Sequence, residues 1–562
     1  MFSVTCDARL AHTLGLPHDP SGEGHEVLLG MTRVYSGSIR VGQRLSVLKP
    51  RYRPDSADAA AQHFDITVGR LFLLMGRDLE PVDAVHAGNV FALYIGAGAA
   101  WGGTGSSAVP GAAASASGFH GIKSATLSST LGIASFDQQH VDAPEAAPIV
   151  RVALHPAQLG EFGELLAGLQ LLCQADPVAE TWTAEDTGEP ILAAAGELHL
   201  QQCLKDLRER FAHVDFTASA PMVPFRETIN AQGAPGSAAP WRERLQPWLG
   251  EAMEAHGRMV VATANGHARI GVRALPLPAP LAAFLAAPRP TDDATWAAGF
   301  CAAQQQLRGA TWHEAERWTT DWVRGRVMAC GARGNLLLCD VDVHVGGAGR
   351  STWTWEGNGL HGMQSAVLTG FHVATEAGPL CAEPMAGVAF VVETLEVCGV
   401  DAEDRALHVA TCGQLIGAMR EACHRAFLYY APRLQASMYA CTIQTSAEAL
   451  GRVYAALARR HGTVLREDFH DGTGLFSVHA LLPVATSFGF ADDIRTRTSG
   501  MAMPQLVFHG FRALDQDPLA PEAEPDAENL ARVFMLQVRE RKGLFIERRL
   551  VQSGDKQRTL KR

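Results

Sequence analysis

The sequence predicts a multidomain α+β protein: a β-barrel, a ferredoxin-like domain, a larger α+β domain, a second ferredoxin-like domain and a C-terminal helical basic tail. Three observations lead there. The chain has 562 residues and is 47% hydrophobic, enough for about four domains with separate cores. Its apolar spacing alternates between the period of a strand and that of a helix. One order of elements, strand, helix, strand, strand, helix, strand, occurs twice, over 148–222 and over 436–510.

Residues 1–147 are assigned to the barrel. EVLLGMTRVYSGSIRVGQRLSVLK, over 26–49, gives short β-rich runs broken at Ser-Gly and Val-Gly, and Val90–Tyr94 reads as a further strand. The stretch 96–118 is so rich in Gly, Ala and Ser that it is expected to be a flexible surface insert without chemistry. From Pro148 the pattern becomes a strand, IVRVAL, then a helix with Leu159, Phe162, Leu165, Leu166, Leu169 and Leu172 at helical spacing. A second helix places Leu200, Leu204, Leu207 and Phe211 on one face, completing a split βαβ domain over 148–222.

Residues 223–435 read as one α+β domain with an insertion. It holds a strand at ARIGVRAL, a helix near 361–377, a strand at GVAFVVETLEV and a helix over 414–430. The second ferredoxin-like unit, 436–510, begins with the strand SMYACTIQT. Its first helix carries Leu450, Val453, Tyr454 and Leu457 and stops at Gly462, a second helix starts near Phe488, and QLVF is the last strand. The tail, 511–562, is charge-segregated: 515–528 hold six acids and no base, whereas 539–562 hold nine Lys/Arg against three acids.

Composition excludes several classes of function. A formal charge of −11 and a pI of about 6.1 are wrong for a polycation that coats nucleic acid, so any RNA contact must be local. Eleven cysteines without a C-x-x-C pair argue against a zinc module or a disulfide framework and for a reducing cytosol. No signal peptide or membrane-spanning run is read in the sequence. A P-loop requires G-x-x-x-x-G-K-[ST], because backbone amides wrap the phosphates while the lysine and hydroxyl meet phosphate and Mg²⁺. No segment matches, and GFHGIKS at 118–124 is a lookalike with Ile122 between Gly121 and Lys123. Glu197 and His199 flank an apolar residue as an acid and base would, but a helix-start Glu beside an interfacial His is the reading preferred. No catalytic, cofactor-binding or metal-binding residue is assigned. The candidate binding residues are Arg539, Arg541, Lys542, Arg548, Arg549, Lys556 and Arg558, because guanidinium groups grip phosphate bidentately and ammonium groups act as point charges.

Particular motifs carry a family resemblance. In the barrel they are GMTRVYSGSIRVGQRLSVLKP and GRLFLLMGRDLEPVDAVHAGNVFAL, with Gly76, Arg77, Glu80, Pro81, Gly88 and Asn89. PIVRVALHP, LLCQADP, TGEPILAAAGELHLQQCLKDLRERF and APMVPFRETI follow over 148–229. Then come SAVLTGFHVATEAGPLCAEPMAGVAF, LGRVYAALARRHGTVLRED and LLPVATSFGFADDIRTRTSGMAMPQLVF. Together they resemble the elongation factor 2 and elongation factor G superfamily from its second domain onward. The resemblance makes 1–147 the second domain, 148–222 the third, 223–435 an S5-like fourth and 436–510 the fifth.

Two places bear on the branch. Elongation factor 2 carries a modified histidine followed by Arg-Gly-Gly-Gly-Gln at its fourth-domain tip, where this chain reads DRALHVATCGQLIGAM with His408 out of register. The end KGLFIERRLVQSGDKQRTLKR is similar to the basic end of the elongation factor-like GTPases. That branch implies a cytoplasmic, monomeric ribosome biogenesis factor with no membrane partner. Its implied partners are the rRNA and proteins of the large ribosomal subunit and the Shwachman-Bodian-Diamond protein, with which it releases the anti-association initiation factor 6. The family uses GTP and Mg²⁺ in an N-terminal GTPase domain whose motif this sequence lacks, so the chain is expected neither to bind nor to hydrolyse GTP by itself. Two other readings stay open: a fragment of a translocase of the elongation factor 2 type, and a GTPase-free regulator that occupies the factor site of the ribosome.

Overall fold

The computed structural model describes residues 2–5, 26–49, 52, 54, 62–76, 78–94, 125–135, 148–176, 178–184, 187–230, 258–286, 299–300, 302–303, 326–340, 362–397, 405–472, 474–520 and 529–546. The stretch 96–118, the lookalike 118–124 and the tail from 547 onward lie outside them, and the acidic run is described as far as Ala520. The chain forms two compact units, Met1–Pro224 with Ser437–Gly510, and Phe225–Ala436 with Phe511–Arg562. No helix among the described residues is long and apolar enough to cross a membrane.

The first unit opens with three small antiparallel sheets. Five strands lie in the order Phe2–Thr5, Glu26–Arg33, Val90–Tyr94, Arg70–Met75, Asp78–Val82; three in the order Thr126–Ser128, Arg44–Leu48, His63–Thr67; and Ser38–Arg40 pairs with Ala84–His86. Alternation along these strands sends Ile39, Val47, Ile66, Leu71, Val85, Phe91 and Leu93 into one shared apolar cluster. Gly37 and Gly88, both at positive φ, turn the chain between strands where an L side chain would be strained.

Next in the same unit is a four-stranded antiparallel sheet in the order Glu180–Thr183, Pro190–Ala194, Val150–Pro156, Phe216–Ala218. Its helices are Phe162–Ala175 and Glu197–Asp206. Leu165, Leu169 and Leu172 are buried as the spacing requires, but Leu159 sits in a short 3-10 turn ahead of the helix and is 92% exposed. The apolar stripe therefore begins one turn later than expected. The second helix ends in a π-turn, Leu207–Phe211; Leu200, Cys203, Leu207 and Phe211 face inward while Leu204 is half-buried. Gly168 lets the first helix approach this turn: a Cβ there would lie 2.5 Å from that of Ala212.

The same connectivity recurs over 437–510. The sheet order is Ala502–Ala513, Pro432–Ser446, Leu475–Pro483, Thr463–His470, with helices Ala447–Arg459 and Phe490–Thr498. Val453, Leu457, Phe490 and Ile494 pack on Cys441, Ile443, Val478, Ala480 and Leu482. The left-handed residue that stops the first helix is His461, φ 56°, and not Gly462. Gly462 is needed for a different reason, since a Cβ there would lie 3.1 Å from the Leu457 side chain. The two split βαβ domains of this unit are tied by Tyr439 Oη donating to the Ala195 carbonyl at 2.8 Å and by the Gly489 amide donating to Glu197 at 2.6 Å.

In the second unit, Phe225–Ile229 pairs with the first residues of Pro432–Ser446, from Phe225 opposite Ala436 to Ile229 opposite Pro432. A five-stranded sheet follows, in the order Met259–Ala262, Ala268–Pro276, Val388–Val397, Asn335–Cys339, Val327–Gly331. Its pairs are antiparallel except Asn335–Cys339 with Val388–Val397. Helices Met363–Glu376 and Arg405–Tyr429 cross closely because Gly370 has no side chain; a Cβ there would lie 2.7 Å from that of Met419. The second of these helices begins at Arg405, well before the expected 414, and so includes His408. Thr, Val and Gly weaken intrinsic helix preference over 409–413. Tertiary contacts override it: fully buried Thr411 accepts a hydrogen bond from Asn265 Nδ2 at 3.0 Å, and Gln414 Oε1 accepts from the Asn265 amide at 2.8 Å.

Candidate functional site

The helix Leu530–Arg541 carries the described part of the basic tail. Asn529 caps its start by accepting from the Arg532 amide at 3.1 Å, and Asn529 Nδ2 donates to the Asp517 carbonyl at 2.8 Å. Ala531, Phe534, Met535 and Val538 form the buried stripe, with the Phe534 ring 5.2 Å from that of Phe225. At the other end Gly543 adopts φ +66°. Its amide donates to the Glu540 carbonyl at 3.1 Å and the Leu544 amide to the Arg539 carbonyl at 2.8 Å, a Schellman closure. Arg539, Arg541 and Lys542 thus gather at the negative end of the helix dipole, where cations are stabilised.

These cations meet the loop 377–386, which joins the helix Met363–Glu376 to the strand Val388–Val397. Arg539 donates to the Leu380 carbonyl and, through Nε, to the Phe545 carbonyl at 2.9 Å. Lys542 Nζ donates to the Ala382 carbonyl at 2.5 Å and lies 2.9 Å from Glu383 Oε1, with Arg541 3.8 Å from the same oxygen. On the loop's other side stands Glu227, on the strand Phe225–Ile229 and fully buried. Its carboxylate accepts the amides of Leu380 at 2.8 Å, Cys381 at 2.9 Å and Glu383 at 3.1 Å.

Two peptide planes are therefore held at both ends. In the plane joining Leu380 to Cys381 the oxygen faces Arg539 and the N–H faces Glu227; in the plane joining Ala382 to Glu383 the oxygen faces Lys542 and the N–H faces Glu227. Each plane is polarised in the same sense from both sides, which strengthens both hydrogen bonds. Burial pushes the Glu227 carboxyl up to about 7, against the opposing pull of the three amides. Gly378 makes the arrangement possible, because a Cβ there would lie 2.2 Å from Glu227 Oε2.

Of the seven cations singled out in the sequence, Arg539, Arg541 and Lys542 come together at this end of the helix, and Arg548, Arg549, Lys556 and Arg558 lie outside the described residues. Sequence reasoning missed Glu227, Gly378 and Glu383 as one assembly. The available signal was the strand FRETI, in which alternation puts the acid Glu227 on the same face as Phe225 and Ile229, where it must find donors once buried.

A second cluster joins Asp176, His199 and Cys203 in the first unit, with donor atoms within 4.8 Å of one another. His199 Nε2 lies 2.5 Å from Asp176 Oδ2, while His199 Nδ1 accepts the Ala195 amide at 3.1 Å. A neutral imidazole whose Nδ1 accepts a backbone N–H carries its proton on Nε2, so that nitrogen donates to Asp176 and has no lone pair for a metal ion. Asp176 Oδ1 accepts the amides of Val178 at 2.9 Å and Ala179 at 3.3 Å. Burial would raise the Asp176 carboxyl, but the His199 hydrogen bond and these amides outweigh it and hold it near about 2. Burial, with the Asp176 charge, pushes the Cys203 thiol up to about 12, so it is not poised as a nucleophile. With that tautomer the three side chains form a hydrogen-bonded lock, His199 to Asp176 and Cys203 to the same Asp176 oxygen. Glu197 is likewise engaged by the Gly489 amide and is not poised as an acid or base.

Residues 146–219 match the family model Elongation Factor G, domain III, and residues 434–521 match Elongation factor G C-terminus. Ribosome assembly protein 1 of Saccharomyces cerevisiae is 34% identical over 96% of this chain and 48% of its own length. Elongation factor-like GTPase 1 of Homo sapiens is 31% identical over 95% of this chain and 55% of its own. Ribosome assembly protein 1 of Schizosaccharomyces pombe is 33% identical over 95% and 53%. The chain spans about half the length of these curated relatives. The matched segments fall on the two split βαβ domains, and the similarity continues through both units, so the chain belongs to the elongation factor G superfamily, in the branch of ribosome assembly protein 1 and the elongation factor-like GTPases.

Proposed function

We propose that this chain is a cytoplasmic ribosome biogenesis factor that docks on the large subunit and, with the Shwachman-Bodian-Diamond protein, promotes release of the anti-association initiation factor 6. The observation that carries this reading is the similarity over 95–97% of the chain to proteins named for ribosome assembly and as elongation factor-like GTPases. In it the three N-terminal sheets act as a barrel, the two split βαβ domains as ferredoxin-like modules and the second unit's five-stranded sheet as the core of an S5-like domain. GTP and Mg²⁺ serve the complete factor, and no residue of this chain takes part in covalent chemistry. Arg539, Arg541, Lys542, Arg548, Arg549, Lys556 and Arg558 contact rRNA phosphates, the first three from a helix end whose position the loop 377–386 sets.

Salt-titrated cosedimentation of the purified chain with isolated large subunits, small subunits and assembled ribosomes, with and without the anti-association factor, tests the proposal. Preference for large subunits bearing the factor, lost with rising salt, is the expected result. Binding mainly to assembled ribosomes would instead favour a translocase of the elongation factor 2 type. Reversing the charge of Arg541 and Lys542 together should lower the salt dependence and weaken binding.

A further inference from the structure

The strand Thr463–His470 is an edge: among the described residues it is the outermost strand of its sheet and pairs in it with Leu475–Pro483 alone. Edges of this kind are usually kept short, or protected by proline, lysine or a cover. This one is eight residues long and has no Pro or Lys. A bulge between Val464 and Arg466 twists its start, leaving 466–470 in regular register with 475–479. Large apolar side chains stand out on it, Leu465 at 59% and Phe469 at 54% exposure. Beside its end lies a cleft of about 580 Å³ lined by Gln444, Phe469, His470, Asp471, Gly472 and Leu475.

Charge selects the occupant. Arg466 lies 3.2 Å from Asp468, which also faces His479 at 3.3 Å. Glu467 and Asp471 then set the sign of the edge, which is acidic. A phosphate backbone would meet like charge here, whereas a protein segment with Lys or Arg would meet complementary charge. We propose that Thr463–His470 is a docking site for an extended protein segment that joins the sheet as an added strand. Basic side chains of that segment lie against Glu467 and Asp471, and an apolar one enters the cleft beside Phe469.

The test uses the full chain and labelled synthetic peptides of about ten residues alternating Lys and Val, read by fluorescence anisotropy up to about 1 mM. A second peptide of the same sequence is N-methylated at every other residue, which removes the donors an added strand needs, and a single-stranded oligouridine of similar length is the third probe. The expected result is saturable binding of the first peptide, at least about tenfold weaker binding of the N-methylated one, and a similar loss in Glu467→Lys/Asp471→Lys. Amide exchange in 463–470 should slow when the first peptide is bound. Absence of binding, equal binding of the N-methylated peptide, or preference for the oligouridine would each overturn the proposal. Because unaltered protein is used in the peptide comparison, the outcome does not depend on whether a variant folds.

Discussion

Replacing Gly378 by alanine tests whether the Glu227 assembly holds the second unit together. The φ of Gly378 lies outside the left-handed region, so the substitution probes space and not backbone strain. The new Cβ would sit 2.2 Å from Glu227 Oε2 and 2.4 Å from Cδ. Glu227 cannot retreat: it is fully buried, its amide donates to the Pro384 carbonyl at 3.0 Å, and its carbonyl accepts the Ala386 amide at 2.8 Å. Relief must come from the three amide bonds of the loop. Each buried N–H left without an acceptor costs about 1–3 kcal/mol and overpacking adds about 1–3 kcal/mol, so a loss of about 3–5 kcal/mol is expected. Glu227→Ala removes the obstacle together with the acceptor, so adding Gly378→Ala to it should cost less than about 1 kcal/mol, a coupling of several kcal/mol between the two sites. Calorimetric unfolding measures the cycle, and hydrogen exchange at Leu380, Cys381 and Glu383 localises it. Additive effects, or unchanged protection at those amides in Gly378→Ala, would refute the reasoning.

The Glu227 carboxyl is raised from 4.5 to about 7 in the fold, so its contribution is full below 4.5 and is lost as pH rises through about 7, by about 3 kcal/mol. Glu227→Gln should flatten that dependence in urea titrations between those limits. Asp176 behaves oppositely: its carboxyl is lowered from 3.8 to about 2, so about 2 kcal/mol is present above 3.8 and is lost as pH falls through about 2. Asp176→Asn should remove this acid sensitivity in the first unit. Glu383→Ala leaves Lys542 only a carbonyl partner and should destabilise docking of Leu530–Arg541 by about 1–3 kcal/mol, seen as faster exchange in that helix with little change in the five-stranded sheet. Gly370→Leu should be more damaging than Gly413→Leu, since the first position meets Met419 at the helix crossing and the second has nothing within 4 Å; thermal melting compares them.

Periodicity carried the repeated split βαβ order because the helices Phe162–Ala175 and Ala447–Arg459 are amphipathic, and from Leu165 and from Ala449 onward local pattern and final burial agree. Reading failed where tertiary contacts outvoted local preference. Leu159 continues a helical apolar spacing yet stands in solvent, because the helix proper starts only at Phe162. The helix that begins at Arg405 runs through 409–413, residues of weak propensity, because Asn265, far away in sequence, holds Thr411 and Gln414. His461 takes the left-handed stop that Gly462 was expected to take, since Gly462 is occupied with clearing Leu457.

Composition, pattern and motif suffice for the multidomain α+β class, the positions of most strands and helices, and the superfamily, because those depend on residue type and spacing along the chain. The candidate site does not. Glu227, the loop at 377–386 and the cations at 539–542 are separated by more than a hundred residues at each step, and only folding brings a carboxylate and two cations to opposite ends of the same two peptide planes. Periodicity reports which side of an element is buried. It holds no information about which distant donor a buried charge will meet, and the burial penalty on Glu227 makes that meeting a condition of the fold.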